Sequence, residues 1–230
     1  MMELSTEIAS AMSDKGYDLR RARIADLIGA RLARQLPVSD AMFDGTFPLE
    51  IFELSKIHWT PVSVIMAAVK MLRPSPDSRI LDVGSGCGKF CIAAALAAPG
   101  IWTGVEIRPH LHEAALGNKM LFRADRAEFI PGNMEDLDWS VFNGFYFYNP
   151  FWENVLNEAD FATRSIDHSI SLDETNFRRY TETVRQKLAD CPAKTRVVTY
   201  HGFGAELPTG YLHCKTELHG NGDLELWIKQ

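Results

Sequence analysis

Apolar residues change their spacing near residue 74. Over Leu19–Leu36 they recur every three or four positions, which predicts a helix with arginines between its apolar positions. Residues 39–48 are predicted to form a loop. A second helix is predicted from Thr60 to Leu72, because Thr is a favourable N-cap and Pro61 fits the first helical position. We therefore predict an N-terminal helical extension over residues 1–73.

Beyond residue 74, short apolar segments alternate with helical ones. The predicted strands are Arg79–Val83, Trp102–Ile107, Ala127–Ile130, Gly144–Tyr148, Thr195–Tyr200, Tyr211–Leu218 and Leu224–Lys229. The predicted helices are Phe90–Ala98, His110–Arg123 and Leu172–Leu188. Alternating strands and helices indicate an α/β fold with a mostly parallel sheet and helices on both faces. The closing hairpin, with a loop over His219–Asp223, adds one antiparallel strand to a seven-stranded sheet over residues 74–230.

Bulk composition narrows the function classes. The chain has 230 residues and a net charge of −6, with 30 acidic and 24 basic side chains. General nucleic-acid binders usually carry a basic excess, so we expect no general nucleic-acid partner. The longest apolar stretch, residues 90–99, is too short to cross a bilayer, so we expect no membrane contact. Four cysteines without metal-ligand spacing predict no metal site and a reducing, cytoplasmic setting.

The clearest functional signal is a glycine loop that follows the first predicted strand. Gly84, Gly86 and Gly88 separate this strand, which carries Asp82, from the next helix. Glycines let a ligand approach the backbone, and a helix N-terminus offers free N–H groups to an anionic group. A dinucleotide fingerprint would place its third glycine at Lys89, and the phosphate-loop pattern is also missing. The spacing therefore disfavours NAD.

The segment Asp-x-Gly-x-Gly-x-Gly resembles motif I of class I methyltransferases, which have a Rossmann-like fold and use S-adenosylmethionine (SAM). That resemblance implies that SAM is the cofactor and that its methionine carboxylate meets the start of the helix. The residues it assigns to cofactor binding in this loop are Asp82, Gly84, Ser85, Gly86, Gly88 and Lys89.

Two later segments match the same family in the same order. Glu106 ends the second predicted strand, 24 residues after Asp82 (106 − 82), where methyltransferases bind the ribose hydroxyls with an acid. Asn133 and Met134 follow the third strand, where the family holds the adenine ring. Asn133 is expected to accept from the adenine amino group, and Met134 to pack on the ring. A solvated acid and an ordinary turn remain the alternatives at these positions.

The fourth strand ends in Tyr-Asn-Pro-Phe, at Tyr148 to Phe151. This segment resembles motif IV of amino-group methyltransferases, (Asp/Asn)-Pro-Pro-(Phe/Tyr), although the second proline is missing. The resemblance implies that Asn149 positions an acceptor amine beside the cofactor, and Tyr148 is expected to hydrogen-bond either ligand. The segment also resembles Asn-Asn-Phe of the disruptor-of-telomeric-silencing lysine methyltransferases and Asn-Pro-Phe of uncharacterised bacterial class I methyltransferases. The acceptor stays open, since a protein side-chain amine, a small-molecule amine and a nucleobase all fit this segment.

Two histidines are candidates for a general base. His58 precedes the helix that leads into the first strand, in a segment that we predict to fold over the cofactor as a lid. Thr60 in the same segment is expected to contact the cofactor. His201 follows the fifth strand, at the predicted catalytic edge of the sheet, and is the better-placed base.

The sequence therefore favours a SAM-dependent methyltransferase that acts on a nitrogen acceptor. The alternative is a SAM-binding sensor or partner subunit without catalytic activity. A nicotinamide-dependent oxidoreductase is a third hypothesis, and the position of Lys89 argues against it.

Overall fold

The computed structural model describes residues 2–155 and 173–230. Its strands are β1 Arg79–Val83, β2 Ile101–Glu106, β3 Ala127–Pro131, β4 Gly144–Tyr148, β5 Arg196–Tyr200, β6 Tyr211–His219 and β7 Gly222–Lys229. They form one sheet in the order β3-β2-β1-β4-β5-β7-β6. Strands β1 to β5 pair in parallel, and β7 runs antiparallel to both β5 and β6. The predicted seven-stranded sheet with one antiparallel strand is confirmed.

Helices cover both faces of this sheet. The α-helices are α1 Met2–Ala33, α2 Asp40–Asp44, α3 Leu49–Glu53, α4 Ser55–His58, α5 Val62–Leu72, α6 Lys89–Ala97, α7 Pro109–Phe122 and α8 Glu174–Asp190. Successive strand residues point to opposite faces, so Ile80 joins one core and Leu81 the other. The Ile80 core includes side chains of α1, α5, α6 and α7, and the Leu81 core includes side chains of α8.

The N-terminal segment is more helical than its pattern predicts. Helix α1 begins at Met2, 17 residues before the predicted start (19 − 2). The predicted loop over residues 39–48 contains α2, whose first turn is capped by Ser39 through the N–H of Met42 at 3.3 Å. Helices α3 and α4 have five and four residues, too few to repeat an apolar period.

The start of α5 corrects the predicted cap at Thr60. Its first residue is Val62, and the Val62 N–H donates to Oδ1 of Asp40 at 2.8 Å. The Thr60 hydroxyl instead lies 3.2 Å from the Tyr146 hydroxyl inside the core. A carboxylate 22 residues earlier in the chain therefore caps this helix, which local sequence rules do not foresee.

The C-terminal elements agree closely with prediction. The predicted start of α8 at Leu172 lies outside the described residues; within them the helix begins at Glu174, capped by Asp173 through the Asn176 N–H at 2.8 Å. The hairpin turn is tighter than the predicted loop, since β6 reaches His219 and β7 begins at Gly222. Among the described helices, none has both the length and the apolar character needed to cross a membrane.

The strand order creates a crevice at one edge of the sheet. The chain passes outward from β1 through β2 to β3, and then returns to the other side of β1 with β4. Ligands of open α/β sheets bind beyond the carboxyl ends of the strands, where the order reverses. The glycine loop after β1 and Asn149 after β4 both lie at this position.

Candidate active site

A cavity opens at this reversal point and encloses about 860 Å³, counting the space at its mouth. Segments after β1, β2, β3 and β4 line it, together with the end of α4. The structure brings eight of the predicted site residues into its wall: His58, Gly84, Gly86, Glu106, Asn133, Met134, Tyr148 and Asn149.

The glycine loop has a backbone that requires glycine. Gly84, Gly86 and Gly88 all have positive φ, at 75°, 54° and 82°. A Cβ on Gly86 would lie 2.5 Å from the Trp59 ring, and one on Gly88 would lie 2.5 Å from Phe129. Side chains would therefore both strain this loop and collide with their neighbours. The loop leads directly into α6, whose N-terminus carries the partial positive charge of a helix start.

Glu106 links the end of β2 to the glycine loop. Its Oε2 accepts from the Gly86 N–H at 2.8 Å, and its Oε1 accepts from the Arg108 N–H at 2.9 Å. Burial raises the pKa of the Glu106 carboxyl, while the two N–H groups act in the opposite direction. Glu106, the acid predicted to bind the ribose, therefore lies in the cavity wall and is hydrogen-bonded to the glycine loop.

Asp82 lies beneath the loop and does not line the cavity. It is buried, and Sγ of Cys91 donates to its Oδ2 at 3.7 Å. Burial raises the pKa of Asp82 to about 8, partly opposed by the Cys91 contact, and the charge of Glu106 raises it further. At neutral pH this side chain is therefore largely a neutral acid behind the glycine loop, and its predicted contact with the cofactor stays a prediction.

The ammonium group of Lys89 is engaged away from the cavity, and the predicted contact of Lys89 with the cofactor stays a prediction. The Lys89 side chain is 3% exposed, and Nζ lies 2.8 Å from Oδ1 of Asp40 and 2.8 Å from Oδ1 of Asp44. Both acids belong to α2, so Lys89 fixes the N-terminal segment to the first turn of α6. A buried ammonium needs such partners, and they hold it away from the cavity.

The Asn133 side chain forms hydrogen bonds within its own turn. Its Oδ1 accepts from the Glu135 N–H at 3.1 Å, and its Nδ2 donates to the Glu135 carboxylate at 2.9 Å. The side chain therefore caps a short 3₁₀ helix that begins at Met134. Met134 is buried, and its carbonyl accepts from the Trp139 indole at 3.2 Å. Both residues line the cavity, and the expected adenine contact of Asn133 stays a prediction, because its Oδ1 accepts one N–H and keeps a second lone pair.

Asn149 combines a strained backbone with an available amide. Its φ is +39°, a left-handed conformation that non-glycine residues rarely adopt and that Asn tolerates best. The Asn149 N–H donates to the Gly202 carbonyl at 3.0 Å, which helps to hold the turn. Its side-chain amide makes no hydrogen bond to any of the residues that the structure describes. Beside it, the Tyr148 hydroxyl donates to the Ile57 carbonyl at 3.4 Å.

Four further predicted residues lie outside the cavity wall. The Ser85 side chain packs on Gly104, so that a Cβ on Gly104 would lie 2.5 Å from it. Gly88 packs against Phe129, and the Thr60 hydroxyl lies beside the Tyr146 hydroxyl. His201 is exposed, and its ring packs against Tyr148 with 5.9 Å between centroids. Burial of its ring lowers the pKa of His201, opposed by the charge of Asp223. His201 does not line the cavity, and the base role predicted for it stays a prediction.

The structure also places residues in the wall that sequence reasoning missed. Arg108 and Glu153 form a buried ion pair at 2.5 Å across the cavity, and Oε1 of Glu153 lies 4.0 Å from Nδ1 of His58. Asn154 lines the cavity as well, with a buried Oδ1 that has no partner among the described groups. The sequence offers one indication of these residues, which is their closeness along the chain to predicted site segments. Arg108 follows Glu106, and Glu153 and Asn154 follow the Asn-Pro-Phe segment, by a few positions.

Comparison with known proteins identifies the fold. No protein-family model matches the chain, and no curated protein matches it. Among solved structures, an RNA methyltransferase from Salinibacter ruber in complex with S-adenosyl-L-homocysteine is 20% identical, over 74% of this chain and 93% of that one, with a TM-score of 0.52. The yhhF protein of Escherichia coli is 14% identical, over 76% and 88%, with a TM-score of 0.54. This chain has the Rossmann-like fold of these structures.

A third similar structure extends into the N-terminal segment. The protein named MtNAS, in complex with S-adenosylmethionine, is 13% identical and has a TM-score of 0.52. That match covers 94% of this chain and 75% of the other. Since 6% of the chain lies outside it (100 − 94), the match includes most of the residues before 74. At these identities the similarity establishes the fold, and the activity has to be argued from the site.

Proposed function

We propose that this protein is a SAM-dependent methyltransferase that transfers the methyl group to a nitrogen acceptor. The observation that carries the proposal is the convergence of Gly86, Glu106 and Asn149 on one cavity at the reversal point of the sheet. SAM is a nucleoside with an amino-acid tail and no phosphate. To bind and use it, a protein needs a glycine loop, an acid that binds the ribose hydroxyls and a polar side chain beside the methyl group. These three requirements are met by the segments after β1, β2 and β4.

The cavity fits the cofactor at the positions that the structure fixes. Gly84 and Gly86 expose backbone to the cavity, and side chains at these two positions would occupy that cradle or collide around it. The N–H groups of the first turn of α6 favour a carboxylate. Each oxygen of Glu106 accepts one N–H and keeps a second lone pair, which can accept a ribose hydroxyl. We assign the methionine end to α6 and the ribose to Glu106.

The acceptor end of the cavity is formed by amide and aromatic groups. The Asn149 amide oxygen can accept an N–H of the acceptor and turn the nitrogen lone pair toward the methyl carbon. Its rigid turn supports that role, because strained residues are retained where their geometry is used. Oδ1 of Asn154 offers a second acceptor for the same kind of group. Tyr148 and Trp152 supply flat walls that exclude water.

We propose in addition that the N-terminal extension acts as the lid of this site. His58 and Trp59 line the cavity, and the Trp59 indole lies over Gly86. The Trp59 N–H donates to the Ile51 carbonyl at 2.9 Å, so α3 and α4 hold the ring in place. Closing the cofactor cleft in this way would keep water from the reacting sulfonium.

A SAM-binding sensor without activity remains the competing function. It predicts cofactor binding with no transfer, and it gives no role to the Asn149 amide, which has no hydrogen-bond partner in the described part of the chain. We therefore propose an amine of a protein or a small molecule as the acceptor, in keeping with the net charge of −6. RNA is the substrate class named for the Salinibacter ruber structure, and the test must include it.

Transfer of labelled methyl groups separates these functions. The protein is incubated with SAM labelled in its methyl group and with protein, small-molecule and RNA fractions of a cell extract, and the label is located by mass spectrometry. We expect label on a nitrogen in the protein or small-molecule fraction. Asn149→Ala should lose transfer while still binding S-adenosylhomocysteine. Label on RNA would overturn the acceptor class, and binding without any transfer would favour the sensor.

A further inference from the structure

The cavity wall contains a histidine whose position is fixed from two sides. His58 ends α4, and its side chain is 5% exposed. On one side the Tyr148 hydroxyl donates to the carbonyl of Ile57, at 3.4 Å. On the other side Trp59 donates to Ile51 and covers Gly86. The His58 ring therefore lies at the cavity between the glycine loop and the Asn149 turn.

A buried carboxylate lies next to this ring. The Glu153 side chain is 8% exposed, and its Oε2 is paired with Arg108 at 2.5 Å. Its other oxygen, Oε1, lies 4.0 Å from Nδ1 of His58. The Arg108 pair fixes the orientation of the carboxyl group, so that one oxygen remains directed toward the imidazole. Such a carboxylate favours a proton on Nδ1, so that the lone pair of the neutral imidazole is on Nε2.

We propose that His58 is the general base that deprotonates the acceptor nitrogen and that Glu153 positions it. This inference rests on the proposed methyltransferase function. The separation of 4.0 Å exceeds a hydrogen bond, and catalytic contacts of this kind commonly tighten when ligands fill the site. The ionisable groups that line the cavity with His58 are Glu106, Arg108, Tyr148, Glu153 and Tyr180.

The proposed reaction is a proton transfer followed by a displacement at the methyl carbon. Nε2 of His58 takes a proton from the acceptor ammonium and becomes imidazolium, which the Glu153 carboxylate stabilises. The freed lone pair attacks the methyl carbon, a C–N bond forms, and the C–S bond breaks with its electron pair on sulfur. The products are the methylated ammonium and S-adenosylhomocysteine, and His58 returns its proton to solvent.

Sinefungin provides a test that does not need the acceptor. In this SAM analogue an aminated carbon replaces the methylated sulfonium, so its ammonium occupies the reaction centre. Its dissociation constant is measured relative to that of S-adenosylhomocysteine, from about pH 5 to about pH 8, where imidazole titrates. If His58 faces the reaction centre, its protonation repels the ammonium. We expect relative sinefungin affinity to rise by about tenfold as the pH is raised.

Variants assign this pH dependence to the proposed pair. His58→Gln should abolish the rise, and His213→Gln, on the exposed strand β6, should leave it intact. Glu153→Gln should move the midpoint to lower pH by about one unit, because the imidazolium loses its neighbouring charge. Since that variant removes one carboxylate partner of Arg108, the double variant Arg108→Gln/Glu153→Gln is measured beside it and should show a smaller shift in the same direction, because the lost Arg108 cation offsets part of the lost carboxylate charge.

The outcomes separate this inference from the proposed function. Binding of both ligands with the same pH dependence in wild type and His58→Gln would overturn the base role and leave the cofactor site standing. A midpoint unchanged in both Glu153 variants would overturn the positioning role. Failure of both ligands to bind the wild-type protein would overturn the methyltransferase proposal itself. With an acceptor in hand, His58→Gln should lower kcat by about 10²–10⁴ and remove the acid limb of its pH profile.

Discussion

The Gly86 N–H and the Glu106 carboxylate are joined by a hydrogen bond of 2.8 Å, so the glycine loop and the end of β2 form one rigid unit. The same carboxylate holds the Arg108 N–H with its other oxygen. An acid placed in this way is preorganised, because its orientation is fixed before a ligand arrives. The loop and the acid should therefore respond together when either is changed.

Glu106→Gln tests the ribose contact. The amide has one acceptor oxygen instead of two, so it cannot hold both N–H groups and still accept hydroxyls. We expect the affinity for SAM and for S-adenosylhomocysteine to fall by about tenfold or more, as for loss of a hydrogen bond to a charged group. Calorimetry measures both ligands. The control is Glu128→Gln on β3, where an exposed carboxylate pairs with Arg79, and equal losses in the two variants would contradict the assignment.

Gly86→Ala tests whether the glycine loop binds the cofactor. The new Cβ would lie 2.5 Å from the Trp59 ring at a φ of +54°, so the loop, the ring or both must move. We expect cofactor binding to be lost or reduced by more than about tenfold, together with a lower unfolding midpoint. Gly117→Ala is the matched control, since a Cβ there meets nothing within 4 Å inside α7, and it should stabilise the helix by about 0.5–1 kcal/mol.

The sequence predicts the sheet and the loop because both depend on local patterns. Strand β4 has the bounds that its apolar run indicates, and the three glycines adopt the positive φ that their spacing suggests. The remaining features depend on contacts between distant positions. Lys89 meets Asp44 45 residues away, and Arg108 meets Glu153 across the same separation. No local periodicity marks which charged residues become buried partners.

The Lys89–Asp44 pair predicts a strong energetic coupling. Lys89→Met leaves the Asp44 carboxyl buried without this ammonium, and burial already raises the pKa of Asp44. We expect a loss of about 3–5 kcal/mol in the free energy of unfolding, as for other broken buried pairs.

Urea unfolding of Lys89→Met, Asp44→Asn and the double variant measures the free energies of unfolding for a double-mutant cycle. The double variant should be more stable than the sum of the single losses predicts. Arg79→Met, at an exposed pair, should cost less than about 1 kcal/mol. A Lys89→Met loss no larger than that of Arg79→Met would show that the buried pair is not structural.

Asp82 predicts a pH-dependent stability. Its pKa is raised to about 8 from its ordinary 3.8, mainly by burial, so the folded protein keeps a proton that the unfolded chain releases. The stability that this proton contributes is complete below about pH 3.8 and is lost as the pH rises through about 8. Each pH unit in that window costs up to about 1.4 kcal/mol.

Asp82→Asn should therefore gain stability over the wild type as the pH rises from about 4 to about 8. Urea unfolding at several pH values measures the difference. Asp125→Asn, at an exposed position at the end of the α7–β3 connection, serves as the matched substitution. A difference between Asp82→Asn and wild type that does not change with pH would show that Asp82 is not held neutral in the folded protein.

Isothermal titration of the wild-type protein with SAM and with S-adenosylhomocysteine tests the central claim most directly. The cavity around Gly86 and Glu106 predicts that both ligands bind with one site per chain and dissociation constants in the micromolar range or below. It also predicts no comparable binding of NADH, since the loop lacks the third dinucleotide glycine at Lys89. The absence of measurable binding of both SAM and S-adenosylhomocysteine would contradict the account.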